Sequence, residues 1–87
     1  MGEVDAAIAC FREALRLEPA YVDAHFNLGI AHQDKKELRE ALGFYERALE
    51  LEPGFDQARD AAENVRRIIA REKASVGREM AVTARAK

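Results

Sequence analysis

Residues 14–19 read ALRLEP, and 34 positions later residues 48–53 read ALELEP. Shifting the chain by 34 residues sets Glu3 on Glu37, Ala7 on Ala41, Ala14 on Ala48 and Leu15 on Leu49. The same shift sets Leu17 on Leu51, Glu18 on Glu52, Pro19 on Pro53 and Ala24 on Ala58. Val4 with Leu38, Ile8 with Leu42, Phe11 with Tyr45 and Tyr21 with Phe55 are conservative matches between them. Eight identities at one offset, with both prolines in phase, mark an internal repeat.

Each repeated segment predicts a helix. In 3–17, Val4, Ala7, Ile8, Phe11, Ala14 and Leu15 form an i, i+3, i+4, i+7 stripe. Pro19 stops that helix, because it has no N–H and disfavours helical backbone at Glu18. A second helix covers 21–33, with Ala24, Leu28 and Ala31 on one side, and Asp34-Lys35-Lys36 is a polar turn. A third covers 37–51 on Leu38, Ala41, Leu42, Tyr45, Ala48 and Leu49, and Pro53-Gly54 ends it. A fourth starts near Phe55 or Asp56, its apolar face made of Ala58, Ala61, Ala62, Val65, Ile68 and Ile69. Gly77 is its expected end or bend, since glycine costs roughly 1 kcal/mol inside a helix. Small residues at Gly29, Ala41 and Ala48 let antiparallel neighbours approach closely. The fold class is therefore all-α: antiparallel helix–turn–helix repeats, a fragment of an α-solenoid, with four helices of which the last is long.

Composition agrees. Of the 87 residues 48% are hydrophobic and 34% charged, which suits a folded chain rather than a disordered one. Cys10 is the only cysteine, so no intrachain disulfide or paired-thiol metal site is open to it. A single thiol favours a reducing compartment, and a cytoplasmic location is expected. The opening MGEVDAAIACFRE lacks a basic region followed by a long apolar run, so no signal peptide is expected, and no stretch approaches a membrane span. The net charge of −2 hides an asymmetry: residues 1–65 hold 7 Lys/Arg against 14 Asp/Glu, and residues 66–87 hold 7 against 2. The basic end is either a solvated helix terminus or a contact for nucleic acid or an acidic partner.

Catalytic patterns are absent. There is no phosphate loop, dinucleotide fingerprint, zinc-protease motif or nucleophile elbow. His25 and His32 lie seven residues apart, about 10.5 Å by helix rise, too far to share one metal ion. Carboxylate pairs such as Glu37/Glu40 and Glu46/Glu50 lack the apolar enclosure that acid catalysis needs. No enzymatic activity, cofactor or metal is expected.

The pattern resembles the tetratricopeptide repeat. Leu28-Gly29, Ala41, Tyr45, Ala48 and Pro53 fall on that repeat's signature positions, with His25 and His32 where it prefers Trp and Tyr. The resemblance implies four segments: 2–19 as the second helix of an incomplete first repeat, 22–55 as a complete repeat, 56–76 as a C-terminal capping helix, and 77–87 as a basic tail, frayed or disordered. Gly2 falls where the family often places glycine between its two helices, and Ala62-Glu63 replaces Leu-Gly in the cap.

The resemblance also implies a protein-interaction module with a partner groove lined by the first helix of each pair. Those positions are Asp23, Phe26, Asn27, Ile30, Gln33 and Asp34, joined by Gln57, Asp60, Ala61 and Asn64. Phe26 and Ile30 would be its apolar floor, and Asn27 a donor and acceptor for a peptide backbone. Some relatives clamp a C-terminal carboxylate with basic residues, but Gln57 and Ala61 stand where such residues would be, so that clamp is not expected. The first helix lacks a preceding partner, which predicts partly bare Ile8, Phe11 and Leu15, covered either by self-association through them, with the fourth helix of another copy docking there as a homodimer or open array, or by the missing helix of a longer array from which the chain is cut. The competing reading is nucleic-acid contact through Arg66, Arg67, Arg71, Lys73, Arg78, Arg85 and Lys87, disfavoured because no aromatic follows residue 65.

Overall fold

The computed structural model describes the backbone of residues 2–86 and the side chains of residues 2–73. It contains four helices: α1 (Gly2–Leu17), α2 (Val22–Asp34), α3 (Leu38–Leu51) and α4 (Asp56–Ala86), with no strand among the described residues. Each helix packs chiefly on the next in sequence. The stack is elongated, 56 × 33 × 17 Å, with a radius of gyration of 16.2 Å. A compact domain of this length would have about 12 Å.

The repeat in sequence is a repeat in hydrogen bonding. After Pro19 and Pro53 the chain turns the same way: Tyr21 N–H donates to Glu18 O at 3.1 Å, and Phe55 N–H donates to Glu52 O at 3.1 Å. The next helix then opens with His25 N–H to Tyr21 O in one copy and Arg59 N–H to Phe55 O in the other. Even the side chains correspond. His25 Nε2 donates to Pro19 O at 2.9 Å, and Arg59, 34 residues on, donates to Pro53 O at 2.8 Å. The carbonyl oxygen only accepts, so His25 carries its proton on Nε2.

The turn between α2 and α3 is closed by Glu37 N–H to His32 O at 2.9 Å across Lys36, whose φ is 67°. This is a left-handed helix stop, with lysine at a position that glycine occupies at least strain.

Two clusters make the core. Ile8, Leu28 and Ala31 join α1 to α2, with Val4, Phe11, Leu15 and Phe44 packed around them. Ala41, Tyr45, Ala62 and Val65 join α3 to α4, flanked by Phe26, Leu38, Leu42, Leu49, Ala61 and Ile69. The α2 helix is sandwiched between α1 and α3 and buries one broad face, Ala24, His25, Leu28, Gly29, Ala31 and His32, while Asp23, Ile30 and Asp34 on the opposite side stay exposed. Gly29 permits the closest approach. A Cβ there would lie 2.6 Å from Tyr45 Cδ1.

Two expectations are corrected. Ile8 is not bare; it is 8% exposed, because the α1 stripe of Val4, Ile8 and Leu15 is turned onto Leu28 and Ala31 of α2. Gly77 neither ends nor breaks α4, which runs on to Ala86. A single glycine costs about 1 kcal/mol in a helix, and no proline accompanies it.

Candidate functional site

The residues expected to line a partner groove divide into two groups. Asp23, Ile30, Asp34, Gln57, Asp60 and Asn64 are exposed; Phe26, Asn27 and Gln33 are half-buried. Phe26 is part of the core rather than an open floor. Its ring centroid lies 4.9 Å from that of Phe55 and 5.7 Å from that of Tyr45, so it ties α2 to α3 and to the start of α4. Gln33 is engaged too: its Oε1 accepts from Tyr45 Oη at 2.7 Å. Burial pushes the Tyr45 phenol's pKa up, and nearby Asp34 adds to that. Of the expected apolar floor only Ile30, 40% exposed, stays open.

A concavity sits at one end of this surface. A cleft of about 1110 Å³ opens where α4 passes the turn between α2 and α3. Leu38, Ile68 and Ile69 give it an apolar floor. Lys36, Arg39 and Lys73 supply positive charge at its rim, and Asp34, Glu37, Glu40 and Glu72 supply negative charge. Gln33 and Asp34 are the two expected groove residues that reach it. The sequence reading missed Leu38, Ile68 and Ile69 as lining residues because it assigned all three to packing. Only the 34-residue register offered a signal: Ile68 corresponds to Asp34, one of the expected groove positions.

One wall is fixed by an unforeseen pair. His32 Nδ1–H donates to a Glu37 carboxylate oxygen at 2.7 Å, and the imidazole stacks on Phe44 with centroids 5.3 Å apart. Phe44 also lies 6.3 Å from His25. The two histidines thus fill aromatic positions around one phenylalanine, leaving His25 Nδ1 and His32 Nε2 buried and unbonded.

The basic segment is exposed at Arg66, Arg67, Arg71 and Lys73. Arg66 is paired with Glu46 at 2.8 Å, linking α4 to α3. The side chains of Arg78, Arg85 and Lys87 lie outside the described residues. Among the described residues no helix is long and apolar enough to cross a membrane.

Antiparallel helix pairs stacked along one direction, with small residues at the crossings and a cleft on one face, define a helical-repeat scaffold. Residues 22–55 match the model of the tetratricopeptide repeat, and residues 1–36 match a second TPR-repeat model reaching back over α1. The chain belongs to the tetratricopeptide-repeat family, whose repeats generally mediate protein–protein interaction. It is similar to the chloroplastic tetratricopeptide repeat domain-containing protein PYG7 of Arabidopsis thaliana, with 44% identity over 57 residues. That match covers 66% of this chain and 19% of that protein, so the chain spans under a fifth of this relative's length.

Proposed function

We propose that the chain is a non-catalytic binding module that holds a segment of a partner protein in the cleft between the α2–α3 turn and α4. The observation that carries this is the cleft itself: an apolar floor of Leu38, Ile68 and Ile69 under a rim of both charge signs. Such a site suits a peptide with an apolar anchor flanked by charged residues. Exposed Ile30 and half-buried Asn27 extend the contact along α2. The lone exposed thiol of Cys10 fits a reducing, cytoplasmic setting.

Peptides selected by display against the folded chain test this reading. Ile68→Asp changes the floor at a half-buried position outside the Tyr45 cluster, and Ile30→Asp changes an exposed one. Selected peptides are expected to lose tenfold or more in affinity with Ile68→Asp, about 1.4 kcal/mol or more. Peptides that bind both variants as well as the parent would place recognition elsewhere. Phe26→Ala is unsuitable as a probe, because removing a packed aromatic costs about 3–5 kcal/mol of stability.

Self-association through α1 is a second reading, and it has its own observation. Ala41, Tyr45 and Ala48 are 0–1% exposed, while their equivalents Ala7, Phe11 and Ala14 are only half-buried. In α3 these positions are enclosed between α2 and α4; among the described residues α1 packs chiefly on α2 alone. Nucleic-acid contact through the basic segment is less favoured, since Arg66 is engaged with Glu46. Binding to an oligonucleotide that falls steeply with salt would support it.

A further inference from the structure

Among the described residues Lys36 alone takes a left-handed backbone, with φ at 67°. Glycine adopts that conformation freely, because it has no Cβ to meet the following carbonyl oxygen. The 34-residue shift sets Gly2 on Lys36, so the other copy of the repeat carries glycine at this register position. Lysine therefore strains the stop between α2 and α3, and strain of this kind gathers at binding sites.

The Lys36 side chain does not offset that strain within the fold. Lys35, one residue earlier, is paired with Asp5 at 2.8 Å and ties the turn to α1. Lys36 makes no ion pair among the described residues. The next carboxylate along the chain is engaged elsewhere: Glu37 accepts from His32 Nδ1–H at 2.7 Å. Lys36 is exposed and lines the cleft, together with half-buried Leu38, Ile68 and Ile69. It stands in the turn itself, apart from the α2 positions Asp23, Phe26, Asn27 and Ile30 expected to line the repeat's groove.

We propose that Lys36 is a specificity-determining residue of the cleft: it pairs with an Asp or Glu side chain of the partner segment, next to the apolar group that fills the floor of Leu38, Ile68 and Ile69. This rests on the cleft reading and names the charge that the partner carries at the turn. A carboxylate suits the place better than a phosphate. Asp34, Glu40 and Glu72 share the rim with Lys36, Arg39 and Lys73, and they repel a doubly charged group more than a singly charged one. The segment is therefore of mixed charge, with its acidic residue at the turn.

The test takes display-selected peptides that lose affinity with Ile68→Asp and reads what they share. They should carry an Asp or Glu beside their apolar anchor. Replacing it by the amide should weaken binding to the parent chain roughly threefold at low salt, the size of an exposed ion pair, chiefly through slower association, and the loss should fade at high salt. Lys36→Gly should raise the urea midpoint, since glycine relieves the strain, while binding the acidic peptide as weakly as the parent binds the amide. Against that variant the acidic peptide and its amide should bind alike. Lys36→Arg keeps both charge and strain and should bind as the parent does. Selected peptides with no shared acidic residue, or an acidic peptide that binds Lys36→Gly as tightly as the parent, would overturn this inference and leave the cleft reading standing. A urea midpoint lowered by Lys36→Gly would mean that the lysine serves the turn, and would overturn it as well. If no selected peptide responds to Ile68→Asp, the cleft reading and this inference fall together.

Discussion

Gly29 and Tyr45 together set how closely α2 and α3 approach. Tyr45 is 1% exposed and its hydroxyl is tied to Gln33, so the ring has no free direction in which to yield to a new methyl group. Overpacking of this kind costs about 1–3 kcal/mol, against which alanine recovers about 1 kcal/mol of helix propensity. Gly29→Ala should therefore destabilise the chain by up to about 2 kcal/mol, read as a lower urea midpoint with an unchanged slope. The same tyrosine makes the fold sensitive to alkali. Its folded pKa is raised, by burial first and by Asp34 second, so the fold favours the neutral phenol. That contribution is fully present below the ordinary tyrosine pKa of about 10 and is lost as pH rises through the higher folded value. Tyr45→Phe should flatten the stability loss above pH 10, while leaving Gln33 without its donor at neutral pH. Urea midpoints of both proteins at pH 8 and pH 11 would show it; an equal alkaline loss in the two would assign the effect to other groups.

The 34-residue register turns α1 and α3 into a built-in control. Ala14 and Ala48 share sequence context and helix position, but Ala48 is 0% exposed and Ala14 half-buried. Ala48→Leu should cost about 1–3 kcal/mol by overpacking, and Ala14→Leu should stay within about 0.5 kcal/mol. Dilute samples in urea denaturation make that comparison on the monomer; equal costs would mean that Ala14 is as tightly enclosed as Ala48. The same register made the four helices legible. The prolines fixed two stops, and the stripes of the first and third helices named the residues that now pack at the centre. Phe26 was less legible, because the buried face of α2 holds the polar His25 and His32 while apolar Phe26 and Ile30 lie outside it, so periodicity does not tell its faces apart. Nor could Ile8 be assigned correctly from the missing neighbour alone. Its stripe serves the helix that follows, and the bare surface lies a quarter-turn or more away, at Ala6, Cys10 and Leu17. The cleft was not legible because Leu38, Ile68 and Ile69 fall on the apolar stripes of their helices, and periodicity does not separate an apolar residue that faces the core from one that lines a cleft.

Stacking in one direction makes stability local. Helices that touch chiefly their sequence neighbours behave as a short chain of coupled units, in which each gains from the units beside it. The α3 helix has neighbours on both sides, and Tyr45 and Val65 within its cluster are fully buried. The α1 helix has one neighbour and one buried residue, Ile8. Amide exchange should therefore be slowest in α3 and in the facing residues of α2, and faster in α1. Ile8→Ala removes the one buried contact of α1, at a cost of about 2–5 kcal/mol where a site cannot collapse. If opening proceeds from the ends, this change speeds exchange across residues 2–17 and leaves the slowest α3 amides nearly as they were. Val65→Ala acts at the junction of α3 and α4, so its loss must reach Ala41 and Tyr45 and speed exchange in the slowest amides as well. Were Ile8→Ala to accelerate every protected amide by the same factor, the four helices would open as one cooperative unit, and the burial difference between α1 and α3 would reflect packing geometry without any difference in local stability.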